Sequence, residues 1–527
     1  MERLPYLLVQ VFLITSLMVI AGCASADDDS DEPDNQQQEP NQPNNNDVPN
    51  NNDVPNNDEP NTGNNNNSSP DCDDCGPQEV CTAGGCVNPC QEDNIECGTT
   101  TFDGETVDCG SCPSGECQSG QCLDVCDAFV TECGDITWQG QTYSCGDCSG
   151  SRFCHNNACI ESGGFRDIVA GRDSTCGLWP NNTVRCWGGN EYGQLGNNDP
   201  DGDPSPSPLS VSTINHATTL SSLNRHGCTI EEDDSVHCWG RNESGQLGGG
   251  FTSEGEFLPV DTDLSGQQVS AGGSHTCVLL DSDRLSCWGN NSAGQLGRGT
   301  SGAQPEHDKE RVQRIGGSEL DAIITASLGN THSCALRDDN RVWCWGTNRH
   351  GQLGIGSSQD GHFHAEPIND LDGVHRISTG FDHSCAIAID GELYCWGRGG
   401  DGQLGNEATS NASSPVATDL DSPAIDISTG RYHSCAVVDG GDVYCWGLND
   451  EGQIGHSDVG DDVYFDVPQR VDALDDHDIH RVAAGAGHSC AIDRDGQAYC
   501  WGRNDQGQLG RGDTSATPDP TPAPVSQ

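Results

Sequence analysis

Cysteine is the residue type whose number and spacing promise chemistry first. There are 31 in 527 residues. Fourteen form seven pairs ten positions apart: Cys176 and Cys186, Cys228 and Cys238, Cys277 and Cys287, Cys334 and Cys344, Cys385 and Cys395, Cys435 and Cys445, Cys490 and Cys500. Sixteen more lie between 72 and 159, and the last is Cys23. Thiols in such patterns either oxidise to disulfides or ligate zinc, and a secreted chain favours the disulfide. Histidine comes next. His226, His275, His332, His383, His433 and His488 each stand two before the first cysteine of a pair, where the first copy has Ser174. An imidazole is an acid–base group or a metal ligand. One that recurs at the same place in six copies is read instead as a structural group between strands. The remaining metal-type residues are His362 and His364, His477 and His480, and Asp199, Asp201 and Asp203 around Gly202. The histidines fall in hydrophilic connectors. The aspartates lack the glutamate that closes a calcium loop. No nucleophile elbow, zinc-protease helix or phosphate loop occurs. The expectation is no catalytic residue, no metal and no cofactor.

The elements that position these residues follow from periodicity. Between the paired cysteines, the position two after the first and the position two before the second are apolar in every copy, as at Leu178 and Val184 or Ile387 and Leu393. Turn residues such as Asp390-Gly391 lie between. Alternation around a Gly/Asp turn predicts a β-hairpin whose core face carries the two sulfurs. A short strand ending in glycine precedes it, as in Ile427 to Gly430, and a Pro/Val piece follows, as in Pro415-Val416. The second cysteine opens Cys-Trp-Gly seven times, at intervals of 52, 49, 57, 51, 50 and 55 residues. Gly-Gln-Leu-Gly (Gly-Gln-Ile-Gly in the sixth copy) follows each. Four strands at a period of about 50 residues predict an all-β chain with a seven-bladed β-propeller over 162–527. The pairs named above are predicted to be disulfides within blades.

Gly-x-x-His-Ser-Cys-Ala followed by Cys-Trp-Gly-x-Asn-x-x-Gly-Gln-Leu-Gly resembles the regulator of chromosome condensation repeat. The resemblance implies a seven-bladed propeller. It leaves function open, because this family includes exchange factors, ubiquitin ligase modules, light sensors and enzyme inhibitors. Three copies depart from the pattern: Ser174 replaces histidine, Leu223 replaces glycine, and Gly399 replaces asparagine.

The N-terminus reads as a leader. Met-Glu-Arg precedes an apolar run from Leu4 to Ile20, as in a secretory signal. Ile20-Ala21-Gly22-Cys23 resembles the bacterial lipobox, which implies cleavage after residue 22 and a lipid on Cys23. Ala24 in the next position resembles outer-membrane sorting. Residues 23–70, rich in Asn, Asp, Pro and Gln, predict a disordered tether. Residues 71–161 predict small repeats in which disulfides replace a core, with connectivity left open. Cys-x2-Cys openings at Cys72, Cys109 and Cys145 also allow zinc, which export disfavours.

Formal net charge is −59, and the region 162–527 has 53 acidic and 21 basic residues. Nucleic acid binding needs a basic footprint, so that class is excluded. The long connectors 197–217, 298–322 and 456–480 are expected to gather on one rim as a recognition surface. The expected function is that of a monomeric, outer-membrane lipoprotein, periplasmic or surface-facing, whose propeller binds a protein or glycan without catalysis. A polysaccharide hydrolase or lyase on the rim is the alternative, and guanine nucleotide exchange a third.

Overall fold

The computed structural model describes residues 164–526 and the backbone of ten short strands between 80 and 161. Those ten strands pair as five hairpins. In three of them cysteines stand opposite one another, Cys81 with Cys86, Cys117 with Cys122 and Cys154 with Cys159. The leader 1–22, Cys23 and the linker 23–70 lie outside the described residues.

Residues 167–524 fold into seven four-stranded antiparallel sheets, each made from consecutive strands. In the first blade these are Asp167–Ala170, Ser174–Leu178, Val184–Gly188 and Ser205–Ser210. The second and third strands pair Cys176 with Cys186 and Leu178 with Val184. The other six blades keep this register, so each cysteine pair is directly opposed. All seven are disulfides, with S–S distances of 2.02–2.15 Å. Among the described residues no helix is long and apolar enough to cross a membrane.

The fourth strand is where sequence and structure diverge. About a third of the three long connectors is this outer strand: Ser205–Ser210, Gly302–Arg311 and Tyr464–Arg470. Part of the surface expected from those lengths is therefore main chain engaged in sheet pairing, and the rest of each connector remains loop.

The core sits between blades. Every tryptophan of Cys-Trp-Gly is fully buried, and it packs into the blade before its own. Trp239 of blade 2 lies with Cys176, Leu178, Val184, Cys186 and Leu195 of blade 1. Its indole N–H donates to the Gln194 carbonyl at 3.0 Å, and the equivalent bond recurs at all seven joints, including Trp187 to Gln508 across the ring closure at 2.9 Å. The glycine after Gln-Leu has a reason here. At Gly405, φ is +65° and an added Cβ would sit 2.7 Å from the Trp446 indole nitrogen. Only glycine admits both the backbone and the neighbour.

The histidines complete the joint. His383 Nε2 meets Ser434 Oγ of the next blade at 2.9 Å, and Ser434 Oγ donates to the Gln403 carbonyl at 3.0 Å. The hydroxyl's one proton goes to the carbonyl, so the imidazole is the donor and carries its proton on Nε2. His226, His275, His332, His433 and His488 make the same link at 2.8–3.1 Å. These rings satisfy a hydroxyl of the next blade, in keeping with a structural group between strands. Full burial lowers their pKa to about 3, or about 4 for His226, so the imidazoles are neutral.

One joint lacks this link. Between blades 1 and 2 the histidine position is Ser174 and the hydroxyl position is Gly227. Both partners are missing together.

Candidate functional site

The first strands of the blades surround a central cavity of about 230 Å³, lined by residues such as Ser221, Ser270, Ser327, Ser378 and Ser428. Its walls are stitched by hydroxyls: Ser378 Oγ accepts from Thr429 N at 3.0 Å, and Ser428 Oγ from Ala484 N at 2.9 Å. One mouth of this hub is formed by the turns between first and second strands.

In five blades the turn is the segment Gly-x-x-His and in blade 1 it is Gly-x-x-Ser, closed by a main-chain bond such as Gly430 N to His433 O at 2.9 Å. The residue after the glycine then donates its N–H to the glycine carbonyl of the next blade: Phe381 to Gly430 at 3.2 Å, Arg431 to Gly485 at 3.1 Å, Ala486 to Gly171 at 3.2 Å. The approach is so close that a Cβ on Gly430 would lie 2.4 Å from the Gly485 oxygen. Blade 2 solves the problem differently. Leu223 replaces the glycine, and the Asn224 side-chain amide donates to the Gly273 carbonyl at 3.0 Å. A third segment joins the turn, because the residue after Cys-Trp-Gly donates to the residue before the histidine, as Arg503 N does to Gly487 O at 2.8 Å.

Three side chains per blade are thereby fixed side by side at this mouth by backbone bonds that do not specify their identity. Among these 21 positions are six arginines (Arg172, Arg225, Arg241, Arg398, Arg431 and Arg503) and two acids (Asp173 and Asp382). In a chain of net charge −59 with 23 basic residues, six arginines at these positions are a local concentration of cations.

The arginines interlock with aromatics and a few carboxylates. Asp173 is gripped by Arg225 at 3.0 Å, Arg503 at 3.5 Å and Arg172 at 3.7 Å. Arg225 and Arg241 flank the Tyr192 ring at 4.8 and 5.3 Å. Arg398 and Arg431 flank Tyr432 at 4.3 and 4.8 Å, and Arg431 also lies 5.8 Å from the Phe381 ring. Burial lowers the Arg172 pKa, Asp173 opposes that, and the positive charges of Arg225, Arg431 and Arg503 add to the depression. Carboxylates on neighbouring segments pair most of these arginines: Glu191 with Arg225, Glu243 with Arg241, Asp401 with Arg398, and Glu451 and Asp505 with Arg503.

Comparison with known proteins agrees with this architecture. The sequence profile of the RCC1-like domain matches residues 257–527, and that of the regulator of chromosome condensation (RCC1) repeat matches 165–194 and 233–279. The chain belongs to the RCC1-like domain family. The Ultraviolet-B receptor UVR8 of Arabidopsis thaliana is 30% identical over 350 residues, 66% of this chain and 66% of the receptor. Human E3 ubiquitin-protein ligase HERC2 is 27% identical over 322 residues, which cover 59% of this chain but 6% of the ligase. Among solved structures, human WBSCR16 matches with TM-score 0.56 and 22% identity over 66% of this chain and 94% of its own. Prp20p from Saccharomyces cerevisiae matches with TM-score 0.54 and 21% identity over 62% and 82%.

The RCC1-like propeller places the other candidate residues apart from this mouth. His362 Nδ1 pairs with Glu366 at 2.6 Å on the fourth strand of blade 4, and the His364 ring packs over Gly299. His477 bonds the Tyr499 hydroxyl at 3.0 Å, which also reaches Asp493 at 3.1 Å, while His480 is buried on the first strand of blade 7. Asp199 caps its own turn by accepting from Asp201 N at 3.2 Å. Among the described residues no group of three or more His, Cys, Asp or Glu could hold a metal ion. In six blades the asparagine Oδ1 accepts from the Leu or Ile N–H of the Gly-Gln-Leu-Gly loop, as Asn348 does from Leu353 at 3.1 Å; at Gly399 that side chain is missing, and Asn411 Oδ1 accepts from Gly399 N at 3.1 Å as Asp360 does from Asn348 N. Sequence reasoning missed the six arginines. Aligning the seven copies at the three mouth positions is the signal that finds them.

Proposed function

We propose that this chain is an exported, lipid-anchored scaffold whose propeller recognises a protein or glycan ligand and catalyses no reaction. One observation carries the reading. The residues shared by the copies are consumed in building the joints, while at one mouth of the hub the copies present different side chains. Arginine and tyrosine, the types that dominate binding hot spots, are concentrated there. The relatives support a scaffold, since a receptor and a ligase share this repeat and their named activities differ.

Seven intra-blade disulfides support export to an oxidising compartment. The lipid on Cys23 and the outer-membrane destination are part of the same proposal. They rest on the lipobox resemblance and on the acidic tether that would hold the propeller off a membrane.

The test is capture from the cell envelope by the full chain carrying a photo-crosslinker at Thr331 or Ser274, neutral positions at the mouth. A partner crosslinked there, and not from a crosslinker at Ser207 on the outer strand, is the expected result. Crosslinks from Ser207 alone would move recognition to the rim. Mass spectrometry of the mature N-terminus tests the anchor, with an acylated Cys23 expected and an unmodified leader contradicting it.

A further inference from the structure

We infer that the arginine mouth docks an acidic segment of a protein partner, whose carboxylates are received by Arg431 and Arg172 across blade 7. The inference rests on the recognition reading above and adds the chemistry of the partner.

Four features point to it. Blade 7 contributes only the small Ala486 and Gly487 to its turn, with Glu451 and Arg503 packed beside Gly487, so the turn itself puts no long side chain between Arg431 on blade 6 and Arg172 on blade 1. Of the six arginines, Arg431 is the one with no carboxylate within ion-pair distance among the described residues, and its Nε is buried without a hydrogen-bond partner. Its guanidinium is held in place by the Phe381 and Tyr432 rings, an arrangement that pre-organises a fork for a planar carboxylate. Arg172 shares its single carboxylate partner, Asp173, with two closer guanidiniums.

The other arginines already have acids of their own. Arg398 pairs with Asp401 at 2.5 Å, Arg503 with Asp505 at 2.5 Å, and Arg241 with Glu243. The vacancy therefore suits one or two carboxylates and not a polyanion. Nucleic acid and highly sulfated glycans are repelled by the net −32 of residues 162–527. A short protein segment bearing Asp or Glu beside an apolar or aromatic residue matches both the two cations and the rings that flank them.

The experiment is fluorescence anisotropy with the full chain and a labelled dodecapeptide of glutamate, glycine and tyrosine. Its glutamine counterpart and a heparin hexasaccharide are the comparison probes. The glutamate peptide is expected to bind at least about tenfold more tightly than the glutamine form and to weaken as salt rises. Arg431→Ala and Arg172→Ala should each lower affinity by about tenfold or more, with Arg431→Lys intermediate. Arg470→Ala on an outer strand should change nothing. Unfolding midpoints of the variants check that the fold is intact. Equal binding of the two peptides, tighter binding of the hexasaccharide, or indifference to Arg431→Ala overturns the inference. If the peptides fail but the crosslinkers at Thr331 or Ser274 capture a partner, the scaffold stands and only the acidic ligand falls.

Discussion

Six joints of the ring carry a histidine-to-hydroxyl bond, and the joint between blades 1 and 2 carries none. The contrast is sharper because the ring's non-covalent closure is among the six. Blades 7 and 1 have no chain linking them, yet they keep His488 to Thr175 at 2.8 Å and Trp187 to Gln508 at 2.9 Å. They add Arg481 to Asp167 at 2.8 Å and the cluster of Phe165, Trp179 and Trp187 with its ring contacts of 4.1 and 6.0 Å. Blades 1 and 2 are joined by residues 211–216, and chain continuity holds them near each other whatever their side chains do. A joint without a covalent link depends on every non-covalent bond, whereas a linked one tolerates a loss. The freed joint is also where the mouth is most elaborated, with Asp173, Arg225 and Tyr192 taking over contact between the two blades.

The largest expected effect separates all six histidine joints from the seventh. Each imidazole takes up a proton near pH 6.5 when unfolded but only near 3 to 4 when folded. Between these values the unfolded chain holds more protons, so stability rises with pH across that window. The contribution is complete above about pH 6.5 and is lost as pH falls toward 3. Six such sites act in the same direction, so acidification weakens the propeller progressively through this window. Denaturant midpoints measured from pH 7 to 4 should fall steadily. A flat profile would mean that the histidines are not neutral hydrogen-bond donors.

Next in size is a single joint. His383→Ala removes the bond to Ser434 and leaves a cavity, for an expected loss of about 2–4 kcal/mol in urea unfolding. Ser174→Ala, at the corresponding place in blade 1, should cost under about 1 kcal/mol because no inter-blade bond is lost. Smaller than the His383 loss but larger than that of Ser174→Ala is the effect of Asp173→Asn, which leaves three guanidiniums without their shared carboxylate at a partly buried site. It should cost about 1–3 kcal/mol, lessened by salt. The smallest effect is a repair. Ser174→His and Gly227→Ser together install the missing pair, but a Cβ at 227 lies 2.9 Å from the Trp239 ring, which must shift. Each single change should destabilise, and the double-mutant cycle should show a favourable coupling of about 0.5–1.5 kcal/mol.

The repeat made the blades readable before any coordinates. Ten-residue cysteine spacing, alternation and Cys-Trp-Gly fix the hairpins, and seven copies fix the ring. What the sequence hid lies between copies. Ser174 stands out as a departure, but its meaning depends on knowing that the histidine of one blade meets the hydroxyl of the next, some 50 residues away. Gly227 passes as drift for the same reason. The outer strands within the long connectors were hidden because their alternation is weak, as in Ser205–Ser210 with its two prolines. The arginine mouth was invisible along the chain, since its side chains come from positions that only the main-chain bonds around the hub make neighbours.

Native-state hydrogen exchange tests the central claim most directly, namely that recurring buried bonds set the strength of each joint. Amides of the first strand Ala217–Ser222, which packs at the joint of blades 1 and 2, should exchange sooner than those of Val374–Thr379 and Ile479–Ala484. Earlier opening at the closure of blades 7 and 1, or uniform exchange around the ring, would contradict it.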